Sequence, residues 1–257
     1  MGKKSKQVFL LIFLIGLLVL INYNFIDDWL EKSLLAYEIG VVERVIDGDT
    51  VVINNESVRL LGINSPEKGE KYYNEAKVFL EEVVLGEEVR LEFGKDRYDQ
   101  YDRLLAYVYI NRKNVNLELV LNGFANYYFL GKDKHYEDFV DAWKNCVDNL
   151  CKKSVDRCAS CIELKEFDYE NEIVIFYNKC DFDCELGGWE IKDEGRKKFV
   201  FPEFTLKQNK EITIEVGKGE NSEGKLYWER DDYVWTDTGD TLFLRDREGG
   251  LVLWENY

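Results

Sequence analysis

An acidic hairpin near position 48 constrains the fold of this chain more than any other feature. Asp47-Gly48 is a strong two-residue turn signal, and it lies between the apolar runs Val41–Val45 and Thr50–Ile53. We therefore predict an antiparallel hairpin in which Asp49 begins the returning strand. The run Val58–Ile63 predicts the next strand, so the segment that follows it should be a loop.

Side chains that carry oxygen ligands gather at the predicted ends of these strands. Asp49, the Asn64 amide and the backbone carbonyl at Ser65 offer the hard oxygen atoms that Ca²⁺ prefers in proteins. Asp47 adds a second carboxylate next to this group. The segment therefore predicts a site for a hard divalent cation.

Two arginines and a glutamate complete a set suited to phosphate chemistry. Arg59 and Arg103 carry planar guanidinium groups that match phosphate oxygens, and they can stabilise the charge that develops when a phosphodiester is attacked. Glu67 can orient or deprotonate the attacking water, and a metal ion can polarise the phosphoryl oxygen. The implied reaction is metal-assisted phosphodiester hydrolysis.

Four short motifs share their order and spacing with a known family. They are Asp47–Thr50, Arg59–Leu61, Ser65–Glu67 and Tyr101–Tyr107. Over roughly Ile39–Leu150 the chain resembles the staphylococcal-type thermonucleases. The resemblance implies a calcium-dependent nuclease acting on DNA or RNA, with a mainly β fold: a five-stranded OB-fold barrel with three helices. It also implies roles for individual residues: catalysis by Arg59, Glu67 and Arg103, metal binding by Asp49, Asn64 and the Ser65 carbonyl, a nearby carboxylate at Asp47, and nucleic-acid contact at Tyr101.

The chain departs from this family at three positions. Asn64 stands where the best-known members have Asp, which predicts weaker calcium binding. Ser65 replaces a Thr, and Asp102 replaces a Gly and could pair with Arg103. The alternative to an enzyme is therefore a catalytically disabled module that binds nucleic acid or protein at the cell surface.

The overall charge restricts how nucleic acid could bind. The net charge is −16, and an acidic surface does not attract polyanions broadly. A nucleic-acid site should therefore be a local basic spot assisted by metal.

The chain opens with a basic segment and an apolar run. Lys3, Lys4 and Lys6 precede Val8–Ile21, which is the pattern of a secretion signal or a membrane anchor. Because no small-x-small cleavage site follows, we favour an uncleaved anchor helix over residues 1–26. The later domains should then face outward from the cell membrane, and secretion after cleavage is the alternative. Residues 27–38 are a polar connector.

Periodicity predicts the other elements of a first domain at 39–152. Further strands are expected at Glu88–Phe93 and Leu104–Ile110, and helices at Lys71–Val84, Asn116–Asn122 and Tyr136–Leu150. Asn116 is the predicted cap of the second helix.

A few aromatic residues and one histidine lie near the predicted site. Tyr101 is the best-supported base-stacking residue, whereas core packing is favoured for Tyr127, Tyr128 and Phe129. His135 precedes a helix and is expected to have a local polar or capping role.

Six cysteines lie between the third helix and the first part of the C-terminal region. They are Cys146, Cys151, Cys158, Cys161, Cys180 and Cys184. Export favours disulfides that staple the domain junction. The spacings Cys158-x-x-Cys161 and Cys180-x-x-x-Cys184 leave a zinc site as the alternative.

Beyond a cysteine-rich linker at 153–163, the pattern becomes a series of short strands. The runs are Ile173–Tyr177, Gly188–Lys192, Lys198–Phe201, Glu211–Val216 and Thr241–Arg245. They predict an all-β sandwich. Gly187–Trp189, Val234-Trp235 and Gly239–Asp246 resemble a lamin-tail domain, an immunoglobulin-like sandwich, over 164–257. The resemblance implies an accessory or binding module, and its ligand is unknown.

Overall fold

The computed structural model describes Phe13 and residues 37–128, 134–147 and 152–257. The strands of the first domain are β1 (Tyr37–Asp47), β2 (Thr50–Ile53), β3 (Glu56–Leu60), β4 (Ile63–Asn64), β5 (Glu88–Tyr98), β6 (Leu104–Ile110), β7 (Lys113–Asn114) and β8 (Asn126–Tyr127). Its helices are α1 (Tyr73–Val84), α2 (Val115–Leu121) and α3 (Tyr136–Asn145).

Five of these strands close into a barrel. The sheet order is β3-β2-β1-β5-β6, and a parallel pairing of β3 with β6 joins its two edges. The buried core inside the barrel includes Val51, Ile53, Leu60, Leu91 and Val108. The predicted OB-like barrel with three helices is therefore confirmed in the described part of the chain.

The turns around the predicted site are shifted by a few residues from their predicted positions. Asp47 pairs with Thr50, so the hairpin loop is Gly48-Asp49 rather than Asp47-Gly48. A Cβ on Gly48 would lie 2.7 Å from the Cβ of Ser65, so this glycine allows close packing. The strand expected at Val58–Ile63 ends at Leu60 because Gly62 adopts a left-handed φ of 75°.

Helices α1 and α2 lie close to their predicted bounds, and α3 begins at Tyr136 as predicted and ends at Asn145, while its predicted end at Leu150 lies outside the described residues. The second helix has a different cap from the predicted one. The amide of Leu117 donates to Asn114 Oδ1 at 3.2 Å, so Asn114 caps α2. Asn116 is fully buried and bonds instead to the backbone of the barrel. His135 does not cap α3 with its side chain; its imidazole contacts Glu92 at 2.7 Å.

The C-terminal domain is built from short strands in two larger sheets. The strands are β9 (Ile162–Asp168), β10 (Ile173–Asn178), β11 (Cys184–Glu185), β12 (Glu190–Lys192), β13 (Lys198–Val200), β14 (Thr205–Leu206), β15 (Glu211–Val216), β16 (Lys225–Trp228), β17 (Thr241–Arg245) and β18 (Leu251–Asn256). The sheet orders are β16-β15-β10-β9 and β13-β12-β17-β18, with β11 paired to β14. Trp189, Trp228 and Trp235 are buried in the core of this domain.

Disulfides are present, as the sequence predicted. Cys158 is bonded to Cys184 and Cys161 to Cys180, and Cys146 is disulfide-bonded as well. The first two bonds tie the turn that follows the barrel domain onto the C-terminal domain, and both lie within residues 158–184. No cysteine is free in the described ranges.

The two domains pack directly against each other. Trp143 on α3 makes edge-to-face contacts with Phe243 (5.6 Å between centroids) and Trp254 (5.9 Å). Arg245 of β17 donates to Asn126 Oδ1 at 2.7 Å, and Lys192 pairs with Glu70 at 3.0 Å. This interface places the β12–β13 end of the C-terminal domain beside the loop that follows β4.

Apart from Phe13, the predicted leader lies outside the described residues. Within the part of the chain that the structure describes, no helix has the length and apolar character needed to cross a membrane.

Candidate active site

Arg59 is the centre of the candidate site. It lies on β3, where it pairs with Thr50 of β2 and Leu105 of β6. Its guanidinium donates to the carbonyl oxygens of Leu60 at 2.6 Å and Ile63 at 2.8 Å. The barrel backbone therefore holds this side chain in one orientation.

Two candidate metal ligands converge on the same nitrogen of Arg59. Nη2 lies 3.2 Å from Asp49 Oδ2 and 3.2 Å from Asn64 Oδ1. Asp49 is buried, and its Oδ2 also accepts from the Ser65 amide at 2.8 Å. The structure thus brings together four of the predicted site residues: Asp49, Arg59, Asn64 and Ser65.

A second carboxylate lies beside Asp49. Asp47 Oδ1 accepts from the Asp49 amide at 3.1 Å. Burial, and then the negative charge of Asp49, raise the pKa of Asp47. Two neighbouring carboxylates repel each other unless a cation lies near them.

The donor set fits a hard divalent cation. Asp49 and Asn64 offer two oxygens that already converge on a positive charge, and Asp47 adds negative charge close by. Within the described ranges, no group of three or more His, Cys, Asp or Glu side chains could hold a metal.

Arg103 is held by a residue that sequence reasoning missed. Its Nε and Nη2 both lie 2.7 Å from Asp99 Oδ2. Asp102, the expected partner, instead adopts a left-handed φ of 59° in the same turn. That conformation favours glycine and tolerates Asp, which explains why Asp102 can replace a Gly. The Arg103 guanidinium lies 5.4 Å from the ring of Tyr101, which is 63% exposed.

Glu67 pairs with a residue of the C-terminal domain. Its Oε1 lies 2.7 Å from Arg196 Nε. Arg196 was not predicted, and the sequence held no signal for it because the pair is formed across the two domains.

A cleft of about 340 Å³ joins the arginines into one site. Its lining includes Arg59, Asn64, Tyr101, Arg103, Tyr128 and Arg196. Tyr128, predicted to be a core residue, lines this cleft, whereas Tyr127 stacks on Phe139 as predicted. Phe129 lies outside the described residues. Each of the three arginines in the cleft is paired with a carboxylate, Arg59 with Asp49, Arg103 with Asp99 and Arg196 with Glu67.

Comparisons with known proteins identify both domains. Residues 57–147 match the family model for the staphylococcal nuclease homologues, and residues 159–257 match the model for the lamin tail domain. Thermonuclease from Staphylococcus hyicus is 31% identical over 121 residues, which cover 43% of this chain and 72% of that protein.

Two further relatives cover less of their own length. Thermonuclease from Staphylococcus intermedius is 32% identical over 111 residues, 39% of this chain and 66% of that protein. Endonuclease YhcR from Bacillus subtilis is 32% identical over 118 residues, 39% of this chain and 10% of that protein. The chain thus belongs to the staphylococcal nuclease family and carries a lamin tail domain after its nuclease domain.

Proposed function

We propose that this protein is a calcium-dependent nuclease that hydrolyses phosphodiester bonds of DNA or RNA. One observation carries the proposal: Arg59 and Arg103 line the same cleft, directly beside the converging oxygens of Asp49 and Asn64. A phosphate in this cleft would meet both guanidinium groups, close to the candidate ligands of a divalent cation.

The residues suggest how the reaction would proceed. Glu67 accepts a proton from water, and the water oxygen forms a new bond to phosphorus. The bond from phosphorus to the leaving ester oxygen breaks, and that oxygen takes a proton from solvent and leaves as an alcohol, after which Glu67 returns its proton to solvent. Arg59 and Arg103 stabilise the extra negative charge on the phosphoryl oxygens. A bound Ca²⁺, held by Asp49, Asn64 and the Ser65 carbonyl, would supply Lewis-acid polarisation of the phosphoryl group.

The proposal is tested by measuring the cleavage of nucleic acid by the full-length protein. Single-stranded DNA, duplex DNA and RNA are each incubated with protein in calcium and in chelator, beside a Glu67→Gln variant. We expect calcium-dependent cleavage that falls by about 10²-fold or more in the variant. Equal cleavage by Glu67→Gln, or cleavage in chelator, would contradict the mechanism.

One observation favours a second candidate, a binding module without catalysis. Asn64 is a neutral amide where the best-known members of the family have Asp, so the proposed metal site carries one negative charge fewer. Binding of a fluorescent oligonucleotide without cleavage in any divalent metal would support this module.

We also infer an outward-facing location. The support is the basic, apolar leader and the disulfides, which persist in oxidising compartments. Recovery in a membrane or extracellular fraction would agree with this, and recovery with reduced thiols in the cytosolic fraction would contradict it.

The C-terminal domain is inferred to be an immunoglobulin-like sandwich that positions the nuclease on a surface or partner. Its two sheets around a shared tryptophan-rich core support that assignment. A chain that ends after Ile162 should be retained less well on envelope fractions than the full chain, and equal retention would contradict the inference.

A further inference from the structure

A loop of the lamin tail domain reaches the nuclease cleft. The loop is Asp193–Lys197, between β12 and β13. Gly195 and Arg196 line the cleft together with Arg59 and Arg103. Part of the wall of the proposed active site therefore comes from the second domain.

The loop is built as a fixed structure. The Asp193 amide donates to the Lys197 carbonyl at 3.1 Å, and the Lys197 amide donates to Asp193 Oδ1 at 2.9 Å. The Glu194 amide donates to Asp240 Oδ1 at 3.2 Å, which ties the loop to the residue before β17. These bonds lie within the C-terminal domain, and they hold the loop in one conformation independently of its contacts with the nuclease domain.

Asn64 fastens this loop to the barrel. Its Nδ2 donates to the carbonyl oxygens of Glu194 at 3.1 Å and Gly195 at 2.8 Å. Its Oδ1 faces the other way and accepts from Arg59. An aspartate has no N–H group, so at this position it would put a carboxylate oxygen against two carbonyl oxygens. The amide at position 64 is therefore matched to the loop.

The docked loop brings Arg196 to Glu67. Arg196 Nε lies 2.7 Å from Glu67 Oε1, and the two side chains are 60% and 39% exposed. A pair this exposed adds little to stability, but it restricts the directions in which the carboxylate can point. Glu67 is thus paired with a residue that lines the cleft.

We propose that Arg196, docked through Asn64, is a positioning residue that orients Glu67 for proton transfer in the nuclease site. The inference rests on the proposed function, because a role in orienting Glu67 has meaning only if Glu67 acts on substrate. It assigns to the lamin tail domain a direct part in catalysis and gives a reason for the Asn at position 64.

The kinetic test uses the full chain and three variants. Arg196→Ala should lower kcat about tenfold with KM changed less than about twofold, because orientation of Glu67 affects the chemical step more than binding. Arg196→Lys should recover part of that loss. Lys210→Ala removes an exposed cation from the same domain and should behave as wild type. An unchanged kcat in Arg196→Ala, or an equal loss in Lys210→Ala, would overturn the proposal.

Docking is tested without any nuclease activity. Trypsin cleaves after Arg196, and a docked loop should resist it. Asn64→Asp should increase the rate of cleavage at Arg196 about fivefold or more, since a freed loop opens to protease more often, while Asn122→Asp, an exposed control, should not. Faster cleavage with no nuclease activity in any protein would refute the nuclease and leave the docking intact. An unchanged rate in Asn64→Asp would refute the docking itself.

A double variant combines the kinetic test of Arg196 with the docking test of Asn64. If Asn64 acts through the loop, Arg196→Ala should have little further effect on kcat once Asn64→Asp is present. Full additivity of the two losses would show that Arg196 acts independently of the loop and would contradict the proposal.

Discussion

A single aspartate decides where Arg103 points. Burial opposes the charge of Asp99, but hydrogen bonds from the backbone and side chain of Arg103 outweigh it and lower the pKa of this carboxyl. Asp99→Ala should therefore lower kcat/KM about tenfold, because Arg103 loses its orientation while keeping its charge. Asp102→Gly in the same turn should keep wild-type kcat/KM. Equal losses in both variants would show that the turn, and not the Asp99 side chain, positions the arginine.

Ionisation of Asp193, in the loop between β12 and β13, should make the free energy of unfolding depend on pH. Burial, and then the charge of Asp240, raise the pKa of Asp193 to about 7, above its value of about 4 in an unfolded chain. The folded protein thus holds a proton that the unfolded chain releases between these values, so this group makes stability fall as pH rises from about 4 to 7.

An amide at position 193 should remove that dependence. Asp193→Asn keeps the oxygen that accepts from Lys197 and avoids the buried charge. Urea unfolding at pH 8 should show a gain on the order of 2 kcal/mol over wild type, and the gain should shrink at pH 5. A larger gain at pH 5 than at pH 8 would reverse the assigned sign.

Helix α2 shows how a short polar sequence can support two interpretations. Asn114 and Asn116 are both good cap residues, and the sequence favoured Asn116. The structure uses Asn114 as the cap and buries Asn116, whose Nδ2 donates to Leu61 O at 2.8 Å and whose Oδ1 accepts from Val108 N at 3.0 Å. Asn116 therefore fastens the helix to the barrel.

These roles predict unequal costs. Asn114→Ala should lower the free energy of unfolding by about 1 kcal/mol, as the loss of a cap does. Asn116→Ala should cost about 2–4 kcal/mol, because it leaves buried backbone groups without partners. Denaturant unfolding of both variants checks this, and a larger cost at Asn114 than at Asn116 would contradict these roles.

Local patterns explain which elements could be predicted. The strands at Thr50–Ile53 and Leu104–Ile110 were predicted with their observed bounds, because apolar β-formers and nearby turn residues agree there. The end of β3 was missed because Gly62 breaks a run whose side chains are all apolar beyond Arg59. In the site, Asp49, Arg59 and Asn64 come from one short segment and were found. Asp99 was missed because its role depends on the path of a turn.

Contacts between the domains could not be predicted from local patterns. Asn64 and Gly195 are 131 residues apart, and nothing in the segment Asp193–Lys197 marks it as a partner of the barrel. Trp143 lies on a helix that the sequence predicted, but its contacts with Phe243 of β17 and Trp254 of β18 join two separate domains. The sequence was therefore enough to identify each domain, whereas the cleft that the two domains form together could not be predicted from it.

The shared core should make the two domains unfold together. Trp143 is buried and contacts Phe243 and Trp254 of the other domain. Truncation of a buried Trp costs about 3–5 kcal/mol, and here the loss falls on the contact between the domains. In calorimetry we expect one transition for the wild type and two for Trp143→Ala. Trp228→Ala, within the C-terminal core, should lower the midpoint without separating the transitions, because it leaves the interface intact. Two transitions in the wild type would mean that the interface does not couple the domains, and the loop that carries Arg196 would then be held by its own contacts alone.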